Sequence, residues 1–221
     1  VMRSVGTKRL ACIGCDSTGN TKLGRELVEI EVATVLLVPD PNHYLSNTCR
    51  DICKIEYFTD AIGKMRTTTT YFSHSAYSAT RLKALRVIIQ VNKGLEKIGK
   101  MRFGTMYWAS YALLRCLPGI SELISTGIIE NFELELQQLC NILEPIARAI
   151  KCLEGLETTV GDIWKFYVAI TAVLHDLFKD NTLSIPLAVQ EEVCVIVNRR
   201  YDEMIHGPSG NLFLSGFFLD P

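Results

Sequence analysis

The sequence predicts a mostly helical α/β fold, in which a short parallel βαβ unit is followed by helices. Two apolar runs bounded by turn residues predict buried strands near the start, and a helical segment lies between them. A strand, a helix and a second strand within about thirty residues imply parallel pairing. Beyond His43 the apolar residues recur at helical intervals almost to the end of the chain.

The elements follow in order from local patterns. We expect strands at residues 10–15 and 34–38, the second closed by Pro39, and a helix at 22–32 preceded by cap and turn residues. Helices are then expected at residues 45–65, 81–91, 106–117, 163–178 and 187–205, with a break at Thr67–Thr70 and a stop at Pro118-Gly119.

One apolar seam is long enough to predict an amphipathic helix by itself. Its members alternate four and three apart over three heptads: Phe132, Leu136, Leu139, Leu143, Ile146, Ile150 and Leu153. Pro145 should kink this helix. The seam suits the core of a helical bundle, which we favour, or an intermolecular coiled coil.

Composition restricts the class of protein. With 48% hydrophobic and 21% charged residues the chain is globular rather than disordered. No apolar run approaches the ~20 residues of a membrane span, and the basic, polar start is not a secretory signal, so we expect no membrane partner. The chain starts at Val1 and stops at Pro221 just after an apolar segment, which we interpret as a piece of a longer protein.

The eight cysteines are interpreted mainly as reduced core thiols, because Cys116, Cys140, Cys152 and Cys194 lie in apolar or helical segments. A CxxC pair occurs at residues 12–15, but no second pair follows at zinc-site spacing. A structural zinc is therefore disfavoured.

Charge is strongly segregated along the chain. Residues 1–115 hold 17 Lys+Arg against 9 Asp+Glu, and residues 116–221 hold 6 against 15, so the net charges are +8 and −9. Within 61–115, ten basic side chains accompany one acid, Glu96, and seven aromatic residues. A protein surface that binds single strands or flipped bases combines cations, which contact phosphates, with aromatic rings, which stack on bases. A solvated helix face with core aromatics behind it would give the same pattern, and charge alone leaves both interpretations open.

Two residues near the strands are candidates for chemistry. Asp16 follows the first strand, where a carboxylate can emerge at a sheet edge and join others in a two-metal site for phosphoryl transfer. The same residue could instead cap the following helix. His43 follows the second strand, and a lone His there is more often structural than a ligand.

Several motifs occur in a fixed order along the chain. They are residues 15–21 (CDSTGNT), 39–48 (PDPNHYLSNT), 71–77 (YFSHSAY), 102–108 (RFGTMYW) and 198–204 (NRRYDEM). Together they resemble the core of hAT-superfamily DNA transposases, most closely the transposon-derived proteins abundant in fungi. The resemblance spans nearly the whole chain.

The resemblance implies a partial ribonuclease H-like catalytic core with a basic DNA-facing segment at 1–109 and a helical insertion domain at 110–221. In this family three carboxylates hold two divalent ions, Mg²⁺ or Mn²⁺, for DNA strand cleavage and transfer. By motif, Asp16 matches the second of them and would be both catalytic and metal-ligating. The other two would lie outside this chain, so the chain alone is expected neither to hold metal nor to cleave DNA.

The resemblance also assigns DNA-handling residues. Arg102 and Trp108 match residues that act on the transposon end, the Trp by stacking on an extruded base. We therefore expect the Trp108 ring to be partly exposed and next to Arg102, whereas a core Trp would be buried. His43 matches the His of a Cys-x-x-His motif, but Asp40 replaces the Cys, which leaves its role open. Lys97 and Lys100 complete the cations expected to contact DNA.

These observations predict a fragment of a hAT-type DNA transposase that binds DNA in the nucleus but is not catalytic alone. A homo-oligomer of the full-length protein is left open. The alternative is a domesticated, non-catalytic module for DNA binding or protein interaction. A helical adaptor unrelated to DNA fits poorly with the excess of basic residues at 61–115, called the basic window below.

Overall fold

The computed structural model describes residues 12–15, 19–32, 35–99, 104–123, 129–155, 158–207 and 210–219. Its elements in chain order are β1 (Cys12–Cys15), α1 (Gly19–Glu31), β2 (Leu36–Pro39), α2 (Pro41–Ile52), α3 (Glu56–His74), α4 (Ala76–Ile88), α5 (Thr105–Leu123), α6 (Ile129–Leu153), α7 (Val160–Asp180), α8 (Leu187–Ile205) and α9 (Gly210–Leu219). The described chain is mostly helical and carries a short parallel two-stranded sheet. This confirms the mostly helical α/β fold class predicted from the sequence.

The βαβ unit joins the helical body through its second strand. β1 and β2 pair in parallel, with Cys12 opposite Leu36, and α1 packs against β2. Val38 of β2 is buried in the main core. Asp40 then begins α2 as its cap, because its carboxylate accepts a hydrogen bond from the backbone N of Asn42 at 2.9 Å.

Helix α6 lies at the centre of the molecule and packs against α2, α3, α5 and α7. The apolar seam predicted from sequence lines this helix, with five members buried and Ile150 and Leu153 partly buried. Pro145 lies within the helix. The seam is therefore a bundle core within one chain, as predicted.

A single hydrophobic cluster extends through the described chain, from Val38 in β2 to Phe213 in α9. Helix α2 contacts α6 and α8, and α9 packs against α7. The predicted domain boundary between residues 109 and 110 falls inside α5. The division into two domains stays a prediction.

The break predicted at Thr67–Thr70 is wrong, because these residues lie inside α3. The hydroxyls of Thr67 and Thr69 donate to carbonyls one turn earlier in the helix, at 3.1 and 2.9 Å. Such bonds to the preceding turn are compatible with a helical backbone, and the burial of Met65 and Phe72 on either side keeps this stretch in the helix. The helix expected at 45–65 is instead interrupted between Ile52 and Glu56, where α2 ends and α3 begins.

The stop predicted at Pro118-Gly119 is also wrong, because α5 continues to Leu123. Gly119 is buried against α4, where a Cβ atom would lie 3.4 Å from side-chain atoms of Leu85 and Ile89. The packing of α5 on α4 thus holds residues in the helix that local sequence would release.

The cysteines fall into two groups. Cys116 and Cys140 are buried, as predicted, but Cys152 and Cys194 are exposed, so the interpretation as core thiols is wrong for these two. Among the described residues no group of three or more His, Cys, Asp and Glu side chains could hold a metal ion. Within the same ranges no helix is both long and apolar enough to cross a membrane.

Candidate nucleic-acid interface

A basic groove lies between α3, α4 and the segment 91–99 that follows α4. It consists of two adjoining depressions of about 520 and 350 Å³ that share Thr69, Ser73 and Lys97. The polar residues that line it are Arg66, Thr69, Thr70, Ser73, His74, Lys83, Arg86, Glu96 and Lys97. Glu96 is the one acid among them.

One polar face of α3 forms one wall of this groove. Arg66, Thr69, Thr70 and Ser73 recur three and four residues apart, so they share one face of the helix. The neighbouring face buries Met65 and Phe72 in the core. Burial of the apolar face therefore turns the polar face toward solvent and the 91–99 segment.

The second wall is held in place by a structural arginine. The Arg86 guanidinium donates from Nε to the carbonyl of Val91 at 3.2 Å and from Nη2 to that of Asn92 at 2.6 Å. At the other end, the backbone N of Gly99 donates to the Thr105 hydroxyl at 2.9 Å. Both ends of the segment are tied down, which positions Lys97 opposite α3.

Three exposed cations of the groove carry charge that no described acid compensates through an ion pair. Arg66, Lys83 and Lys97 are exposed, and in the part of the chain that the structure describes none of them pairs with an acid. Lys64, on another face of α3, does pair, with Asp60 at 2.6 Å. Because paired cations attract anions less, Arg66, Lys83 and Lys97 dominate the field of the groove, together with the half-buried Arg86, whose bonds to carbonyls leave its charge in place.

Apart from Glu96, the nearby groups do not offset this charge. Burial raises the pKa of Cys53 to about 12 even though the charge of Arg66 lowers it, so the thiol is neutral. The hydroxyls of Thr69 and Ser73 already donate to carbonyls of their own helix, Ser73 to Thr70 at 2.8 Å. The groove thus offers anions mainly positive charge rather than hydroxyl donors.

The predicted site residues separate in the structure. Lys97 lines the groove, and Trp108 is partly buried against the core, which confirms the partial exposure predicted for it. The Trp108 ring lies edge-on to Tyr107, with centroids 4.7 Å apart. His43 lies half-buried in the first turn of α2, a helix that packs on α6 and α8, and is not among the residues lining the groove. The structure does not bring His43 together with Lys97.

Three predicted site residues lie outside the described ranges: Asp16, Lys100 and Arg102. Their assigned roles stay predictions, and so does the expected position of Trp108 next to Arg102. The neighbouring acids that are described serve the fold: Asp40 caps α2, and Asp51 binds arginines of α8.

Sequence reasoning missed the α3 wall, although it counted Arg66 and Lys83 among the ten cations. The expected break at Thr67–Thr70 removed the helix on which Arg66 and Ser73 share a face. Their spacing of seven residues, with Thr69 and Thr70 between, was the pattern that could have revealed it.

Comparison of the chain with models of protein families, with curated proteins and with solved structures gives no match.

Proposed function

We propose that this chain is part of a hAT-type DNA transposase and that it binds the DNA backbone through the basic groove. The observation that carries the binding proposal is the convergence of three unpaired cations, Arg66, Lys83 and Lys97, on one groove. They come from three separate chain segments, so the fold rather than a local charge run assembles them. The order of the sequence motifs supports the transposase parent.

The ribonuclease H-like character of residues 1–109 belongs to this proposal. The parallel β1–α1–β2 unit supports it, since such a core is built on a sheet with helices. The resemblance places two of the three catalytic carboxylates outside this chain, so we propose DNA binding without cleavage for this chain. In the intact parent, Mg²⁺ or Mn²⁺ would supply the chemistry of strand cleavage and transfer. DNA as partner implies a nuclear location.

A domesticated, non-catalytic module would use the same groove. The two versions differ in the residues on either side of this chain. An Asp in an upstream strand together with a Glu on a downstream helix favours the active transposase, and their loss favours the module.

The test measures how binding to duplex DNA depends on salt. If the three cations each displace one counterion, the slope of log K against log salt is about −2.7, and a fourfold rise in salt weakens binding about fortyfold. Arg66→Ala, Lys83→Ala and Lys97→Ala should each reduce the slope by about one, on any duplex sequence. Fluorescence anisotropy with labelled DNA provides the measurement.

The matched control is Lys179→Ala, which removes an exposed cation of α7 outside the groove. This variant should keep the wild-type slope. Salt-independent binding, or a triple groove variant that retains the full slope, would contradict the proposal.

A further inference from the structure

Most aromatic rings of the basic window are already engaged in the fold. Phe72 and Tyr107 are buried in the core, and Trp108 is partly buried against it. Tyr111 stacks on Tyr107 with centroids 5.9 Å apart. Phe103 lies outside the described residues. Contacts within the fold therefore account for these described rings, although Tyr111 keeps 44% of its surface exposed.

Two rings are different. Tyr71 in the last turn of α3 is 54% exposed, and Tyr77 in the first turn of α4 is 70% exposed. Each ring makes a local contact, Tyr71 edge-on to Phe72 with centroids 5.4 Å apart and Tyr77 beside Arg81. The exposed ring faces gain no free energy from burial, so core packing does not account for them.

Hydrogen bonds hold the two rings at one corner of the molecule. The Ser78 hydroxyl donates to the Tyr71 hydroxyl at 2.9 Å, which ties Tyr71 to the residue next to Tyr77. Arg81 donates to the Tyr77 hydroxyl at 3.1 Å and lies 5.6 Å from its ring centroid. The corner is therefore preorganised, and Arg81 adds a cation to it.

This corner adjoins the basic groove. Thr70 and Ser73, which line the groove, flank Tyr71 in sequence, and His74 lines it at the end of α3. No Asp or Glu occurs between Asp60 and Glu96. A partner that follows the groove to the corner therefore meets a surface on which Glu96 is the one acid, and at one end it meets two exposed rings.

We propose that Tyr71 and Tyr77 form a stacking platform for unpaired DNA bases, next to a groove that holds the phosphates of the same strand. The inference rests on the proposed function, since the groove must bind DNA for a strand to reach the platform. Unpaired nucleotides combine an anionic backbone with exposed flat faces, and aromatic side chains bind such bases with little sequence preference. A base inside a duplex shows only its edges and cannot stack in this way.

The experiment compares three labelled DNAs with the 221-residue chain: a blunt duplex, the same duplex with an unpaired thymidine tail, and the same duplex with an abasic tail of equal length. Both tails carry the same phosphates, so only the bases differ. The wild type should bind the thymidine tail about tenfold more tightly than the abasic tail, or better.

Tyr71→Ala and Tyr77→Ala should each reduce this preference, and the double variant should abolish it. Their affinity for the blunt duplex should stay within about twofold of wild type, because the groove cations remain. Tyr77→Phe is the matched control, since it keeps the ring and loses only the hydroxyl, and it should retain the preference. Circular dichroism verifies that each variant is folded.

The possible failures are distinguishable. Equal wild-type affinity for the two tails, or a preference unchanged in the double variant, overturns the platform but leaves groove binding intact. No salt-dependent binding to any of the three DNAs overturns the proposed function, and the platform with it.

Discussion

Tyr167 shows how a single buried polar atom affects this protein. The residue lies in α7 and is 2% exposed, and its hydroxyl has no hydrogen-bond partner among the residues described. Burial raises the pKa of the hydroxyl, with the neighbouring Tyr44 also raising it, so the group stays neutral. A buried polar group without a partner costs free energy that folding must offset elsewhere.

We expect Tyr167→Phe to raise the free energy of unfolding by about 1 kcal/mol, because it removes the unpartnered hydroxyl and keeps the ring. Urea denaturation measures the change. The matched control is Tyr57→Phe, which removes a hydroxyl that donates to Gln138 Oε1 at 2.9 Å. The free energy of unfolding of that variant should be lower by about 1 kcal/mol. Equal effects of the two substitutions would show that the Tyr167 hydroxyl is satisfied.

At the scale of a helix, packing prevails over local breakers. Pro118 lies inside α5, exposed to solvent, while Gly119 beside it is buried against α4. Proline inside a helix has no N–H to donate and crowds the preceding turn, at a cost of ~3 kcal/mol. Contacts of α5 with α4 and α6 offset this cost.

Pro118→Ala should therefore stabilise the protein, by about 1–3 kcal/mol, because it restores a helical hydrogen bond without removing buried surface. Thermal and urea unfolding measure the effect. Pro186→Ala serves as the matched control, because Pro186 precedes α8 with a φ of −57° that suits proline. Its replacement should cost up to about 1 kcal/mol through the entropy of the unfolded chain. Destabilisation by Pro118→Ala would show that α5 depends on a bend at this residue.

At the scale of the whole molecule, an ion cluster joins α2 to α8. The Asp51 carboxylate accepts hydrogen bonds from Arg200 and, at 2.9 Å, from Arg199. The Asp51 side chain is 13% exposed. Burial raises the pKa of Asp51. The hydrogen bond and charge of Arg200, together with those of Lys54, lower it by a larger amount, so the pKa lies below its ordinary value.

Asp51→Asn should lower the free energy of unfolding at pH 7 by about 1–3 kcal/mol, since charge-assisted hydrogen bonds are lost and Arg200 is left with less compensation. The depressed folded-state pKa means that this stabilisation is present above the unfolded pKa of about 4 and is lost as the pH falls through the lower folded value. The difference in free energy of unfolding between wild type and Asp51→Asn should thus be constant from about pH 7 to 5 and shrink below about pH 4.

Urea unfolding at several pH values measures this gap. Asp60→Asn is the matched control, because Asp60 pairs with Lys64 on the surface with a side chain that is 71% exposed. Exposed pairs contribute little, so this variant should stay within about 1 kcal/mol of wild type at every pH. A gap for Asp51→Asn that persists at low pH would contradict an ionic origin.

The same whole-molecule contacts separate what sequence could predict from what it could not. The βαβ unit, the seam of α6 and the bounds of α8 follow from turn residues and apolar spacing, which act within a few neighbouring residues. The charge excess of residues 61–115 was likewise visible in the sequence. So was the partial exposure of Trp108, but only through resemblance to a family.

Only the tertiary structure decided which residues form the groove and which rings stay exposed. Thr67–Thr70 remain helical because α3 packs on α6, and Lys97 faces α3 because Arg86 holds the chain that carries it. Asp51 meets Arg200 across 149 positions of sequence. The sequence itself gives the positions of the polar, apolar and charged side chains. Which of them meet depends on contacts between distant segments, and these form only when the helices pack around α6.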